Sequence, residues 1–316
     1  MGLAALLALT VSGCAPSAEV SVRNYVDQAI TGLDEGYYAD SPEWHAAVAE
    51  ALPDLYSAKN IPGTYRLLSS LTKVAGGAHS FFSTPADVAA WEQRYPPGHV
   101  PVPTVSYDGS VATVVVPGFS SAHQDEADLY LEAAAEIFTS PRARSTCGWV
   151  IYASANTGGD LRVMLVALSP LLDDGVVAVF RERDGSTTEV VVHANSVSWR
   201  DEVWGELPAE PTKLASRPIA IVQSGATASA GESVIIAFTG QEAVRTFGSA
   251  TGGFTTVNDG FELPDGAAVT LSFAVMGDRE GNFHEGPLAP DREGGHGDGS
   301  SQAVARDWVA GHCPDS

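Results

Sequence analysis

Residues 224–233 read SGATASAGES, four hydroxyls among Gly and Ala steps, between the apolar stretch 219–222 and the run VIIAFTG. RPIAIVQ ahead of it has the composition of a buried strand, and SAGESVIIAFTG that of a helix, so Ser229 falls at the strand-to-helix turn. A hydroxyl there faces the unpaired backbone N–H groups of the first helical turn and the positive end of the helix dipole, which stabilise an oxyanion formed beside it. The chemistry such a serine can do is nucleophilic acyl transfer, and small neighbours let a substrate backbone come close. Position alone also fits a serine that only caps the helix.

The elements that must carry this corner follow from the rest of the chain. At 316 residues and 44% hydrophobic content it can bury one large core, or a core and a satellite. The first third is helical. Tyr25, Val26, Ile30 and Leu33 keep a helical period, Ser41-Pro42 is an N-cap and first-turn pair, and Pro62 opens a helix carrying Leu67, Leu68, Leu71 and Val74 that Gly76-Gly77 stops. After the Pro-rich 94–103 the texture becomes strands joined by Asp-Gly turns, alternating with helices at 124–138, 160–173 and 229–239, which predicts an α/β core.

Charge excludes one class of partner. Seventeen Lys and Arg stand against 39 Asp and Glu, a net charge of −22, so a nucleic-acid backbone is repelled, and so is an anionic membrane surface unless a covalent anchor holds the chain there. LAALLALTVSGCAPS supplies a candidate anchor: an apolar run too short to span a bilayer, ending in Val11-Ser12-Gly13-Cys14. It resembles a bacterial lipobox, which implies cleavage before Cys14 and acylation of its sulfur. No Lys or Arg precedes the run, which leaves the translation start open, and the alternative is an ordinary buried helix. Cys147 and Cys313 remain, an even pair that an oxidising compartment can join in a disulfide and that otherwise stays as two buried thiols. Neither lies at ligand spacing from a His or a second Cys, so no metal site is expected.

GWVIYASANTGGDLRVMLVALSPLL at 148–172, a strand followed by Asn156-Thr157-Gly158-Gly159 and a helix, together with the Ser229 segment, resembles the C-terminal processing, or tail-specific, serine peptidases. The resemblance extends over about residues 22–310. It implies Ser229 as nucleophile and the N–H groups of Gly158 and Ala230 as oxyanion hole. One branch of that family activates its serine with a downstream lysine, but Lys59, Lys73 and Lys213 all precede Ser229. The branch resembling the tricorn core protease uses an upstream histidine, and LTKVAGGAHSFFSTP matches its Gly-x-His-Ser-Phe-Phe segment at His79. A neutral imidazole with a pKa near the working pH can take the hydroxyl proton and return it to the leaving amine. GNFHEGPLAPD resembles the family's acidic signature, which gives Glu285 the part of orienting acid and leaves Asp291 to cap or pair structurally.

Two positions depart from the family pattern. Tyr152-Ala153-Ser154 stands where a polar anchor of the oxyanion loop is usual, and Ala78 where a serine precedes the histidine, so Ser80 or a water is left to link His79 to Glu285. The resemblance implies a ClpP/crotonase-like β-β-α core without a PDZ domain. The expected layout is a signal peptide over 1–13, a linker over 14–21, a helical cap over 22–95 and the protease-like α/β domain over 104–312. The expected function is cofactor-free cleavage of extended polypeptides through an acyl-enzyme, exported and lipid-anchored to the outer face of the bacterial cell membrane. The alternative, resembling the repeats of interphotoreceptor retinoid-binding protein, is an impaired relative that binds apolar ligands or peptides on the same fold.

Overall fold

The computed structural model describes residues 20–94, 98, 100–120, 124–294 and 298–313. The chain begins with three helices, α1 (Val22–Leu33), α2 (Pro42–Tyr56) and α3 (Tyr65–Gly76), then β1 (Phe81–Ser83) and α4 (Pro85–Arg94). Next come β2 (Thr104–Asp108), β3 (Val111–Val115), α5 (Gln124–Thr139), α6 (Pro141–Ser145), β4 (Gly148–Tyr152) and α7 (Leu161–Leu168). Four strands without an intervening helix follow: β5 (Gly175–Glu182), β6 (Thr187–His193), β7 (Ser196–Trp199) and β8 (Glu202–Glu206). The chain ends with β9 (Ile219–Gln223), α8 (Ala230–Phe238), β10 (Val244–Gly248), β11 (Thr256–Glu262), β12 (Ala268–Asp278), β13 (Arg292–Glu293) and α9 (Asp298–Gly311).

These strands make two sheets. One has the order β13-β10-β9-β4-β3-β2 and is parallel except for the β2–β3 hairpin. The other runs β1-β12-β5-β6-β7-β8, with β11 on the remaining edge of β12, and is antiparallel throughout. The expected ClpP/crotonase-like β-β-α core is therefore incorrect. The fold is mixed α/β, with a curled antiparallel half-barrel sheet beside the parallel one. The physical reason lies in the connections: parallel neighbours need a long crossover, whereas 175–206 offers only short turns between strands, so β5 to β8 fold back on one another.

Local signals in the first third are realised as expected. The Ser41 hydroxyl accepts the Trp44 N–H at 3.2 Å, with Pro42 in the first turn of α2. Tyr25, Trp44, Leu55 and Leu68 of the helices pack with Leu263, Val269 and Leu271 of the β11–β12 hairpin, so the cap shares its core with the antiparallel sheet. The helix expected to reach 173 is α-helical only to Leu168 and continues as a 3₁₀ turn over Ser169–Leu171, where Pro170 brings no N–H.

Helix α9 covers the outer face of the parallel sheet, where Ala305 and Val309 pack on Val150, Val222 and Phe247. Beyond its end Cys313 is disulfide-bonded to Cys147, just before β4, with Cα atoms 5.5 Å apart. The bond closes a loop of 166 residues in sequence separation. Reduction, or Cys313→Ser, is expected to lower unfolding stability by about 2–5 kcal/mol. Urea midpoints that coincide with and without reductant would show that the bond contributes nothing.

Candidate active site

The central parallel strands β4 and β9 deliver their C-terminal ends side by side, the position at which open α/β sheets place ligands. Two hydroxyls of the 224–228 loop bind it to the end of β4. Ser224 Oγ donates to the Ser154 carbonyl at 2.6 Å, Thr227 Oγ1 donates to the Ala153 carbonyl at 2.9 Å, and the Ala228 N–H donates to the Asn156 carbonyl at 3.0 Å. The crowding of hydroxyls in SGATASAGES is thus largely structural: Ser224 and Thr227 hold the turn, and Ser233 donates to Met276 Sδ at 3.1 Å from inside α8. Ser229 is left as the one presented.

Ser229 has φ 56° and ψ −123°, a backbone conformation unusual for a residue with a side chain. Such strain persists only where surrounding contacts over-determine it, and here they are identifiable. Glu232, fully buried, turns back to accept the Ser229 N–H at 2.9 Å, the well-formed half of a capping box, whereas the hydroxyl half lies outside hydrogen-bond geometry. The same carboxylate accepts the Gly253 N–H at 2.8 Å, the Phe254 N–H at 2.7 Å and the Thr251 hydroxyl. Four donors converge on one side chain, so the Ser229 turn and the loop leading into β11 are a single unit.

The loop after β4 lies against the serine. A Cβ on Gly158, which has φ +104°, would stand 2.7 Å from Ser229 Cβ, so no other residue fits this approach. The Gly158 N–H donates to Asn156 Oδ1 at 2.9 Å, and Asn156 is anchored through its own amide to the Val116 carbonyl at 3.1 Å. An oxyanion therefore receives the Gly158 N–H only by sharing it with Asn156 or displacing that side chain. Ala230 opens α8, where its N–H has no intrahelical acceptor. In the Tyr152-Ala153-Ser154 segment the Ala153 and Ser154 carbonyls hold the 224–228 loop, while Ser154 Oγ is buried without a partner among the described residues.

His79 sits on the turn between α3 and β1, and its ring centroid is 5.1 Å from that of Phe254, whose N–H shares Glu232 with Ser229. Phe254 thus touches the histidine through its ring and shares an acceptor with the serine through its backbone. His79 Nδ1 is 2.8 Å from Thr256 Oγ1, Thr256 Oγ1 is 2.8 Å from Ser272 Oγ, and Ser272 Oγ donates to Asn258 Oδ1 at 2.7 Å. Each hydroxyl has one hydrogen, and Ser272 gives its own to Asn258. Thr256 then donates to Ser272 and accepts from His79, which puts the imidazole proton on Nδ1 and leaves Nε2 a free acceptor. Asn258 closes the ring by donating to the His79 carbonyl at 2.9 Å, and Ser80 Oγ accepts the Ser272 N–H at 2.9 Å. Burial, reinforced by the charge of Lys73, pushes the His79 pKa down to about 4. The ring is neutral at physiological pH.

Glu285 lies elsewhere: it is exposed and ion-paired with Arg181 Nη2 at 3.0 Å, and no hydrogen bond joins it to His79 among the described residues. Asp291 accepts the Thr246 N–H at 2.8 Å and is structural. Cys14 lies outside the described residues. Among the described residues no group of three or more His, Cys, Asp and Glu side chains could hold a metal ion. Sequence reading missed Glu232, although Ser-x-x-Glu ahead of an apolar run is the capping-box signature. It missed Thr256, Ser272 and Asn258 because nothing in the sequence near His79 points 177 residues onward to Thr256.

The mixed α/β fold carries a strained serine at a helix mouth with a glycine loop packed on it, and the class of protein it belongs to is the serine-type peptidases. The chain belongs to peptidase family S41, whose sequence model matches residues 110–293, more than half of its length. It is 26% identical over 293 residues to a nisin-resistance protein of Lactococcus lactis subsp. lactis, which covers 92% of this chain and 87% of the relative. In fold it resembles a lipoprotein from Streptococcus agalactiae, with a TM-score of 0.79, 21% identity and coverage of 93% of this chain and 98% of that one. It also resembles the photosystem II D1 C-terminal processing protease, with a TM-score of 0.62, 13% identity and coverage of 91% and 98%.

Proposed function

We propose that this chain is an exported, lipid-anchored peptidase that cleaves extended polypeptide through an acyl-enzyme. Ser229 Oγ attacks the scissile carbonyl, His79 Nε2 takes its proton, and the oxyanion is held by the N–H groups of Ala230 and Gly158. Collapse breaks the C–N bond as His79 returns the proton to the leaving amine. Water, deprotonated by the same nitrogen, then hydrolyses the ester. The observation that carries the reading is the hydrogen-bond chain from Asn258 through Ser272 and Thr256 to His79 Nδ1, because it fixes the tautomer a general base needs. In this reading Thr256 takes the orienting part that the family resemblance assigns to Glu285. The test is covalent labelling of the intact protein by a fluorophosphonate, mapped to Ser229. The nisin-resistance relative makes nisin the first polypeptide to try as substrate.

Thr256 is a positioning residue and has its own expected result. Thr256→Val removes the acceptor for Nδ1–H at nearly constant volume, so kcat should fall roughly 10- to 100-fold with KM unchanged, and Thr256→Ser should restore it. Equal kcat in all three proteins would show that the chain of hydroxyls does not act on the histidine.

The second reading, a binder on the same fold, is favoured by one contact, the Asn156 side chain already bonded to the Gly158 N–H. It expects no labelling at all. The anchor is tested apart from the chemistry. Cys14→Ser should move the protein from the membrane to the soluble fraction, because a chain of net charge −22 needs acyl chains to stay on an anionic surface. Unchanged membrane retention would remove the lipobox reading.

A further inference from the structure

Two cavities, of about 840 and 530 Å³, share Trp199, Asp259 and Phe273 and so form one continuous groove. Those three residues stand on β7, β11 and β12, which meet across a common space because the antiparallel sheet curls. At one end the groove reaches Gly159 and Asp160 of the loop after β4 and Asn258 of the His79 network; at the other it reaches Gly32 of α1 and Glu35 in the turn after that helix. It therefore runs from the end of α1 to residues that flank Ser229 and His79.

The floor is aromatic. Half-buried Trp199 lies 5.9 Å from Trp204, 6.0 Å from Phe180 and 6.3 Å from Phe273, centroid to centroid. The rim is acidic beyond its own neutralisation. Its three arginines are already taken, Arg162 by Asp160, Arg183 by Asp40 and Arg200 by Glu182. Glu35, Glu202 and Asp259 are exposed and form no ion pair within 4.0 Å among the described residues; Arg162, already bonded to Asp160, is the cation whose charge Glu202 and Asp259 share at longer range. Carboxylates in excess of the arginines, above a half-exposed aromatic floor, are complementary to a ligand that is positive along its backbone's flanks and apolar between.

We infer that this groove is the polypeptide docking path and selects extended cationic peptides. Lysine and arginine side chains of the substrate pair with Glu202, Asp259 and Glu35, and its apolar side chains lie on Trp199 and Phe273. The inference rests on the peptidase reading only for the cutting step at the groove's end. Binding is measured on the full chain carrying Ser229→Ala, so that nothing turns over. The probes are a soluble peptide of Gly, Ser, Leu and Lys and its counterpart with Glu in place of Lys, followed by tryptophan fluorescence.

The Lys peptide should bind at least roughly 10-fold more tightly than the Glu peptide at low salt, with the difference shrinking as salt rises. Glu202→Gln together with Asp259→Asn, both at exposed positions that leave the fold intact, should remove most of that preference. In the protein with Ser229 present, the same pair should raise KM for the Lys peptide roughly 10-fold and leave kcat unchanged. Equal affinity for the two peptides, or a preference that survives the double substitution, overturns the inference. Cleavage without charge preference overturns the groove and leaves the peptidase reading standing. Charge-selective binding without labelling or cleavage supports the groove and removes the peptidase.

Discussion

Ser229→Ala and His79→Ala should each abolish fluorophosphonate labelling and cut peptide hydrolysis by roughly 10,000-fold or more, and the double variant should lose little beyond either one. The non-additivity follows from the proposed mechanism: without the Nε2 acceptor the hydroxyl is not deprotonated, and without the hydroxyl the base has nothing to activate. Independent, multiplying losses would mean that the two side chains do not act on one step.

The pH dependence separates this site from an ordinary histidine. The sequence alone suggests an unperturbed imidazole and a rate that rises with pH through 6 to 7. Burial holds His79 near 4, so kcat/KM should be flat across neutral pH and fall only as pH drops through about 4. The same shift acts on folding with the opposite partner in charge. The unfolded chain takes up this proton below the ordinary value of 6.5, while the folded chain refuses it until about 4. The stability linked to His79 is therefore present above 6.5 and lost progressively as pH falls between those values. A kinetic limb at 6 to 7 would show that the ring is hydrated in the working enzyme.

How far the site was legible depended on the range of the contacts that make it. Ser229 at its turn and the helices beginning at Ser41 and Ser229 are local, written in a cap residue and an apolar period, and they fall as the sequence indicates. The glycines after Asn156 are also local, and the structure shows their use: Gly158 has positive φ and packs on the serine. The half-barrel was misjudged because the helices at 124–138, 160–173 and 229–239 suggested one alternating α/β core, and only the absence of crossovers between β5 and β8 separates antiparallel pairing from parallel. The support of His79 was illegible for a different reason. Thr256 and Ser272 meet because β11 and β12 pair, and their hydroxyls gain meaning only through that register, in which Asn258 faces Ser272. A resemblance pointed instead to an acid, Glu285, which the fold pairs with Arg181.

The residue whose loss should cost the fold most is Glu232. Its Oε2 accepts the N–H groups of Ser229 and Phe254, and its Oε1 accepts the Gly253 N–H and the Thr251 hydroxyl, all with the side chain fully buried. Glu232→Ala leaves those donors facing a cavity with no acceptor. Unfolding stability should fall by about 3–5 kcal/mol, with labelling lost as the strained Ser229 turn relaxes. Glu232→Gln, which keeps the side chain's volume, carries the sharper expectation. An amide has one oxygen, so it can serve one of the two donor pairs, and its NH₂ must then point at the other. If the oxygen stays with Thr251 and Gly253, the NH₂ opposes the Ser229 and Phe254 N–H groups, which belong to the nucleophile turn and to the residue against His79. The labelling rate should then fall by more than the modest shift in the urea midpoint accounts for. A Gln variant that labels at the parent rate and unfolds at the parent midpoint would show that the carboxylate neither holds the turn nor joins it to the β11 loop.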